Sequence, residues 1–183
     1  MVKGMTLRTV ELDKIRWPDI RVTSSWDPEL FKEFQETVAA MGVQVPISIV
    51  EEGETLWGVD GKHRCEELVK LGQKTAQIVV MKGTLADVHL KNLALNRLRG
   101  KTKASQELQV IGELVHKHNV SIEDIAKRGI SRNRVEQLLY IYEHAHPLVK
   151  EDLDDETIGT TAAYQLSRLP DQDRQALLLF QVR

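Results

Sequence analysis

Apolar residues along the first hundred positions switch between two periods. Leu30, Phe34, Val38 and Met41 recur at helical spacing, Asp27 stands as a cap before Pro28, and Gly42 is placed to stop the run, so a helix is predicted over 28–41. Val45–Val50 and 55–59 are short β-prone runs joined by Glu51-Glu52-Gly53-Glu54, a polar loop with the glycine a hairpin needs. A helix over 62–71 closed by Gly72, a strand over 75–81 and a helix starting near Thr84 follow, with Asp87 three residues on as a capping-box partner. The order α-β-β-α-β-α describes a compact α+β unit.

Strand signals end there. Arg99-Gly100-Lys101-Thr102-Lys103-Ala104 is polar and suits a domain boundary, which divides the chain into 1–100 and 101–183. Beyond it Leu108, Ile111 and Val115 form one helical stripe, Ile122, Ile125 and Ala126 a second, and Val135, Leu138, Leu139 and Tyr142 a third. The second part is expected to be all-α. Internal repeats and low-complexity segments are absent from the sequence.

The chain has 183 residues, 42% apolar and 28% charged, and no apolar run approaches the roughly 20 residues of a membrane span, so a soluble protein is expected. Met1-Val2-Lys3-Gly4-Met5 lacks the layout of a signal peptide, and the single cysteine, Cys65, excludes an internal disulfide framework; the expected location is the cytoplasm. A formal net charge of −2 argues against coating nucleic acid by bulk charge, so a nucleic-acid site must be a local patch. Lys127, Arg128, Arg132 and Arg134 fall within eight positions, whereas the last segment carries the acidic run 151–156.

Trp57-Gly58-Val59-Asp60-Gly61-Lys62-His63-Arg64 runs from a predicted strand through a glycine into a predicted helix. A helix start offers unpaired N–H groups and a partial positive charge, which favour phosphate. Gly61 admits a ligand close to the backbone, and Lys62, His63 and Arg64 add donors, Arg64 with a planar fork suited to phosphate oxygens. The alternative is an ordinary turn with a solvated first helical turn, but cations there oppose the helix dipole by about 0.3–1 kcal/mol each unless an anion is present.

The second motif spans 121–139. Two helices flank a turn at Gly129, and Ser121 and Ser131 stand as their caps. A helix-turn-helix is therefore predicted at about 121–142. Ser131, Arg132, Asn133, Arg134 and Gln137, near the start of the second helix, with Lys127 and Arg128 before it, are the candidate DNA-contacting residues, able to reach phosphates and guanine or adenine edges. The alternative is an α-hairpin with solvated polar residues. The alanine-to-glycine spacing, Ala126 to Gly129, is one residue short of the usual one, so the turn is tighter or the first helix ends early.

Taken in order, these motifs resemble the ParB/sulfiredoxin superfamily. Gly61 and Arg64 match both its Gly-Glu-Arg-Arg and its Gly-Cys-His-Arg forms, His63 matches the second, and Lys62 neither. Gly42-Val43-Gln44-Val45-Pro46-Ile47 is similar to the Gly-x-x-Gln-Pro-Ile of ParB proteins, and Leu95-Asn96-Arg97-Leu98-Arg99 to their Glu-Asn-x-Gln-Arg. Leu148-Val149-Lys150 and 158–166 resemble the segment that follows the ParB helix-turn-helix, with Ala162 or Ala163 in place of its histidine. The likeness runs from about Leu12 to Leu178.

This resemblance implies a small mixed-sheet ParB/sulfiredoxin-like nucleotide-binding domain followed by an all-α DNA-binding domain. It implies nucleotide binding, CTP above all, at Gly61, Lys62, His63, Arg64, Asn96, Arg97 and Arg99, with Mg2+ held through Asn96. It further implies nucleotide-gated binding of double-stranded DNA, in chromosome or plasmid partition or as a related transcriptional regulator, by a nucleoid-associated homodimer with a ParA-type ATPase as partner. A weak CTPase activity is left open, but Leu95 replaces the acid associated with the metal. Lys62 replaces the sulfiredoxin nucleophile, so peroxiredoxin repair is not expected, and Cys65 is expected to be a packed small side chain. ParB proteins usually continue into a C-terminal dimerisation domain, so a chain stopping at Arg183 is a shorter relative or a fragment.

The competing expectation is a small-molecule kinase, since some members of the superfamily phosphorylate free serine. Asp13, Asp19, Asp27, Asp60 and Glu66 are candidate acids, and Asp60 is the one to test, its other role being to cap the helix at Lys62. His116 with His118, and His144 with His146, are spaced i, i+2 and point apart on a helix, so no structural metal is assigned.

Overall fold

A computed structural model of the chain describes residues 6–23, 26–99 and 102–183. The opening pentapeptide, read above for a signal, and residues 100 and 101 of the expected boundary lie outside the described residues. The chain divides into two compact units, residues 6–19 with 26–95 and residues 20–23 with 96–183.

The first unit is built on β1 (Thr6–Glu11), a 3-10 turn (Leu12–Lys14), β2 (Ile15–Arg16), α1 (Pro28–Met41), β3 (Ile47–Glu52), β4 (Thr55–Asp60), α2 (Lys62–Lys70) and β5 (Thr75–Lys82), leading into α3 (Leu85–Arg99). The strands form one mixed sheet in the order β1-β5-β3-β4-β2, antiparallel at β1/β5 and β3/β4 and parallel at β5/β3 and β4/β2. The central strand β3 is buried on both faces: Ile47 and Ile49 join Ile78, Val80, Cys65 and Leu68, whereas Val50 joins Val59 and Val88. The first cluster includes two residues of α2 and the second one of α3, which explains why β3 carries an apolar run and β5 alternates.

Asp27 caps α1 by accepting the Glu29 amide at 2.9 Å. Trp26, just before the cap, meets Phe31 four helical positions in, ring centroids 6.0 Å apart, which is a hydrophobic staple. Gln35 of α1 donates to Glu67 of α2 at 2.9 Å; that bond first, then Lys70 at 3.0 Å, holds the Glu67 carboxyl below the usual carboxylate range. Thr84 and Asp87 complete the expected capping box of α3, the Thr84 amide donating to Asp87 at 2.9 Å.

The second unit holds the end of α3 with α4 (Ala104–His116), α5 (Ile122–Ala126), α6 (Arg132–His144), α7 (Pro147–Asp154), α8 (Thr160–Ser167) and α9 (Gln172–Val182). Leu108, Ile111 and Leu114 of α4 are fully buried, as are Leu138 and Ile141 of α6. A Cβ on Gly112 would stand 2.5 Å from the Tyr142 ring, so only glycine lets α4 and α6 approach this closely. Residues 20–23 join this unit because both the amide and the hydroxyl of Thr23 donate to Gln106, at 2.9 and 3.2 Å. The division falls between Leu95 and Asn96, inside α3.

Candidate functional site

Gly61 is the N-cap of α2 and adopts the left-handed conformation, φ 97° and ψ 24°. A side chain there would be strained, and its Cβ would lie 3.0 to 3.1 Å from the Arg64 guanidinium, which folds back over the glycine. That guanidinium donates from Nη2 to Asp60 Oδ2 at 2.6 Å and from Nη1 to the carbonyls of Val45 and Pro46, the latter at 3.0 Å. Arg64 thus ties the end of β4, the start of α2 and the Val45-Pro46 segment together. Asp60 serves that clasp, and the capping position falls on Gly61, which has no side chain.

Lys62 and His63 are half-buried and share one counter-charge: Lys62 Nζ lies 3.8 Å from Glu66 and His63 Nδ1 3.3 Å from it. The His63 ring stands edge-on to Trp26 and Phe31, at 6.2 and 5.6 Å and 85° and 78°. This turn therefore combines a helix N-terminus without a side-chain cap, two cations and an aromatic wall, a layout able to take an anion with a flat group attached. The aromatic wall was not legible as part of the site: Phe34 read as part of the apolar stripe of α1, and nothing in the sequence tied Trp26 or Phe31 to the Gly61 turn. Cys65 is buried, and desolvation pushes its thiol up, so it is held as a packed thiol rather than a nucleophile.

Asn96, Arg97 and Arg99, expected beside this turn, fall with the second unit. Asn96 is buried, Arg99 is exposed, and Arg97 Nη1 donates to both oxygens of Glu107, at 3.2 and 3.0 Å. Leu95 packs against the cluster of Val50, Val59 and Val88. The residues at 95 and 96 therefore do not fit the coordination of Mg2+ expected through Asn96, since that position holds no carboxylate.

In the helix-turn-helix, Ser121 Oγ accepts from the Asp124 amide and Ser131 Oγ from the Arg134 amide, so both predicted caps are present. The short spacing has a plain cause. Helix α5 ends at Ala126, and the Arg128 and Gly129 amides donate back three residues, to Ile125 and Ala126, tightening the exit into Gly129 at φ 92°.

Lys127, Arg128, Ser131, Arg132 and Asn133 are exposed together on this turn and the start of α6, and Gln137 is half-buried one turn on. Lys127 pairs with Asp124 at 2.7 Å, and Arg132 with Glu136 and Glu123 at 2.7 and 3.0 Å. Exposed pairs of this kind are worth about 0–1 kcal/mol and release their cations readily to a stronger anion. Arg134 differs from its neighbours. Its guanidinium turns onto Glu107, at 3.2 and 3.4 Å, and donates to Thr160 Oγ1 at 3.3 Å. Glu107, missed from sequence, is almost fully buried; its signal was a carboxylate in register with the apolar stripe of Leu108 and Ile111.

A mixed five-stranded α+β unit with a glycine-initiated helix at the end of β4, followed by a helical unit with a serine-capped helix-turn-helix, defines a narrow class of protein. No family model matches the chain. A sulfiredoxin of Arabidopsis thaliana, chloroplastic and mitochondrial, is 37% identical over 81 residues, which cover 44% of this chain and 64% of that protein, a little under two thirds of its length. The C-terminally truncated chromosome-partitioning protein ParB from Caulobacter crescentus, complexed to the centromeric parS site, aligns over 95% of this chain and 92% of its own at TM-score 0.61 and 17% identity. A Pnob8-like ParB-N domain aligns over 97% and 84%, at TM-score 0.57 and 11% identity. The fold is that of ParB along nearly the whole length of the chain, and part of the chain is similar in sequence to sulfiredoxin. No helix among the described residues is long and apolar enough to cross a membrane.

Proposed function

We propose that this chain is a ParB-type DNA-binding protein whose grip on duplex DNA responds to a nucleoside triphosphate, CTP by family resemblance, bound at the Gly61 turn. The observation that carries it is the start of α6: a Ser131-capped helix exposing Arg132 and Asn133, with Lys127 and Arg128 on the turn before it. The start of a recognition helix is the part that enters the major groove, where Arg reads guanine and Asn reads adenine. Gly61, Lys62, His63 and Arg64 are the nucleotide-binding residues, the α2 amides and the two cations holding phosphate while Arg64 fixes the turn. A homodimer and a ParA-type ATPase partner belong to the same proposal, in partition or in related regulation.

Two enzyme readings are less well supported. Sulfiredoxin chemistry lacks its nucleophile, because Lys62 stands where the cysteine is needed and the thiol of Cys65 is buried. A serine-kinase role for Asp60 requires breaking its 2.6 Å pair with Arg64.

The test is duplex binding followed by fluorescence anisotropy across a salt series. Binding that weakens steeply with salt is expected, as is a loss of at least tenfold in Arg132→Ala/Asn133→Ala, since each base contact is worth about 1–3 kcal/mol. Unchanged affinity in that double variant would exclude α6 as the recognition helix. Turnover of a phosphate donor with free serine, abolished by Asp60→Asn, would instead favour the kinase.

A further inference from the structure

Two arginines converge on one carboxylate in the helical unit. Arg97 Nη1, from the last turn of α3, lies 3.0 Å from Glu107 Oε2, and Arg134 Nη2, from the first turn of α6, lies 3.2 Å from the same oxygen. Thr102 Oγ1, in the connection before α4, donates to Oε1 at 2.6 Å, so the carboxylate accepts from three residues on two helices and a loop. Its side chain is 3% exposed, whereas each arginine side chain is 30% exposed. Among the described residues Glu107 is the one acid paired with either arginine.

The balance of charge is therefore uneven: two guanidinium groups, one carboxylate, and a surplus of one positive charge on the exposed side. Two like charges sharing a single oxygen repel one another, and an anion on their solvent side relieves that repulsion. A guanidinium fork held in place from behind is also the geometry that favours a tetrahedral oxyanion, because the ordering cost is already met by the buried partner. Arg134 lies in the first turn of α6, the end of the helix at which the DNA-binding role proposed above places the duplex.

The geometry points to Arg97 and Arg134 as a paired clamp for one phosphate of the DNA backbone, with Glu107 as their positioning residue. This rests on the DNA-binding role proposed above and extends it, since Arg97 moves from the nucleotide to the duplex. Arg134 becomes a backbone contact rather than a reader of bases. Such a contact adds affinity on every sequence and contributes little to selectivity.

The experiment is the slope of log affinity against log salt for a specific and an unrelated duplex, with CTP binding measured by calorimetry on the same proteins. Arg97→Gln is expected to make the slope shallower by about one and to lower affinity on both duplexes by a similar factor, with CTP affinity unchanged. Arg97→Lys, which keeps the charge, is expected to retain the slope. Glu107→Gln, which raises the surplus, is expected to steepen it, a change that a merely structural carboxylate would not produce. An unchanged slope in both Arg97→Gln and Glu107→Gln would overturn the clamp, as would loss of CTP binding in Arg97→Gln with the DNA slope intact. Failure of the unmodified protein to bind any duplex would instead overturn the DNA-binding role itself.

Discussion

At Gly61 the left-handed backbone and the overlying Arg64 guanidinium make two separate demands that only glycine meets. Gly61→Ala is expected to lose about 1–2 kcal/mol of stability from the backbone term alone, read as a shift in denaturant midpoint at constant slope. An unshifted midpoint would mean that the turn does not need this conformation. Cys65 gives a second check. Burial raises its thiol above the usual value, so the folded state holds the proton more tightly than the unfolded one. The resulting stability is fully present below the ordinary thiol range and is lost as pH rises through the higher folded value. Stability of the parent protein is expected to fall more steeply above about pH 8.5 than that of Cys65→Ala, and parallel curves would contradict the assignment. Residue identities at both sites were legible in the sequence, but side-chain direction was not. Arg132 and Arg134 look equivalent as letters, yet one reaches exposed acids and the other a buried one, because Glu107 lies on a neighbouring helix more than twenty positions away.

The elements divide along the same physical line. Local signals placed α1 at its observed limits, from its Asp27 cap and Gly42, and α6 at its observed start, from Ser131. Strand β1 did not, because Thr6–Glu11 is an edge strand, exposed along most of its length, whose place is set by backbone pairing with β5 rather than by apolar alternation. Two-residue β2 is likewise defined by its partner β4. The helix-turn-helix depends on local caps, so it can be tested there. Ser131→Ala removes the acceptor of the Arg134 amide and is expected to lower stability by about 1 kcal/mol, measured by thermal melting, and to weaken duplex binding through fraying of the α6 start. A melt unchanged by that substitution would show that the helix start is held by something else.

Across the whole molecule, two compact units carry the two proposed chemistries: a candidate anion-binding turn on the mixed sheet and an exposed cationic helix start in the helical unit. The order of motifs was legible across both, because each is short and contiguous. At the position expected to help hold a metal, Leu95 is drawn into the sheet's apolar cluster and supplies no carboxylate. If the two chemistries are linked, occupancy of the turn must bind one DNA-gripping state better than another, since a ligand shifts an equilibrium only through such a difference. The most direct measurement is duplex affinity with and without saturating CTP, in the parent protein and in Lys62→Ala/His63→Ala, whose side chains are half-buried at the turn. The account predicts a change of fivefold or more in the parent, typical of a coupling of about 1 kcal/mol or above, and none in the variant, which still binds DNA. Equal affinity with and without CTP in the parent, alongside calorimetric proof that CTP is bound, would contradict it.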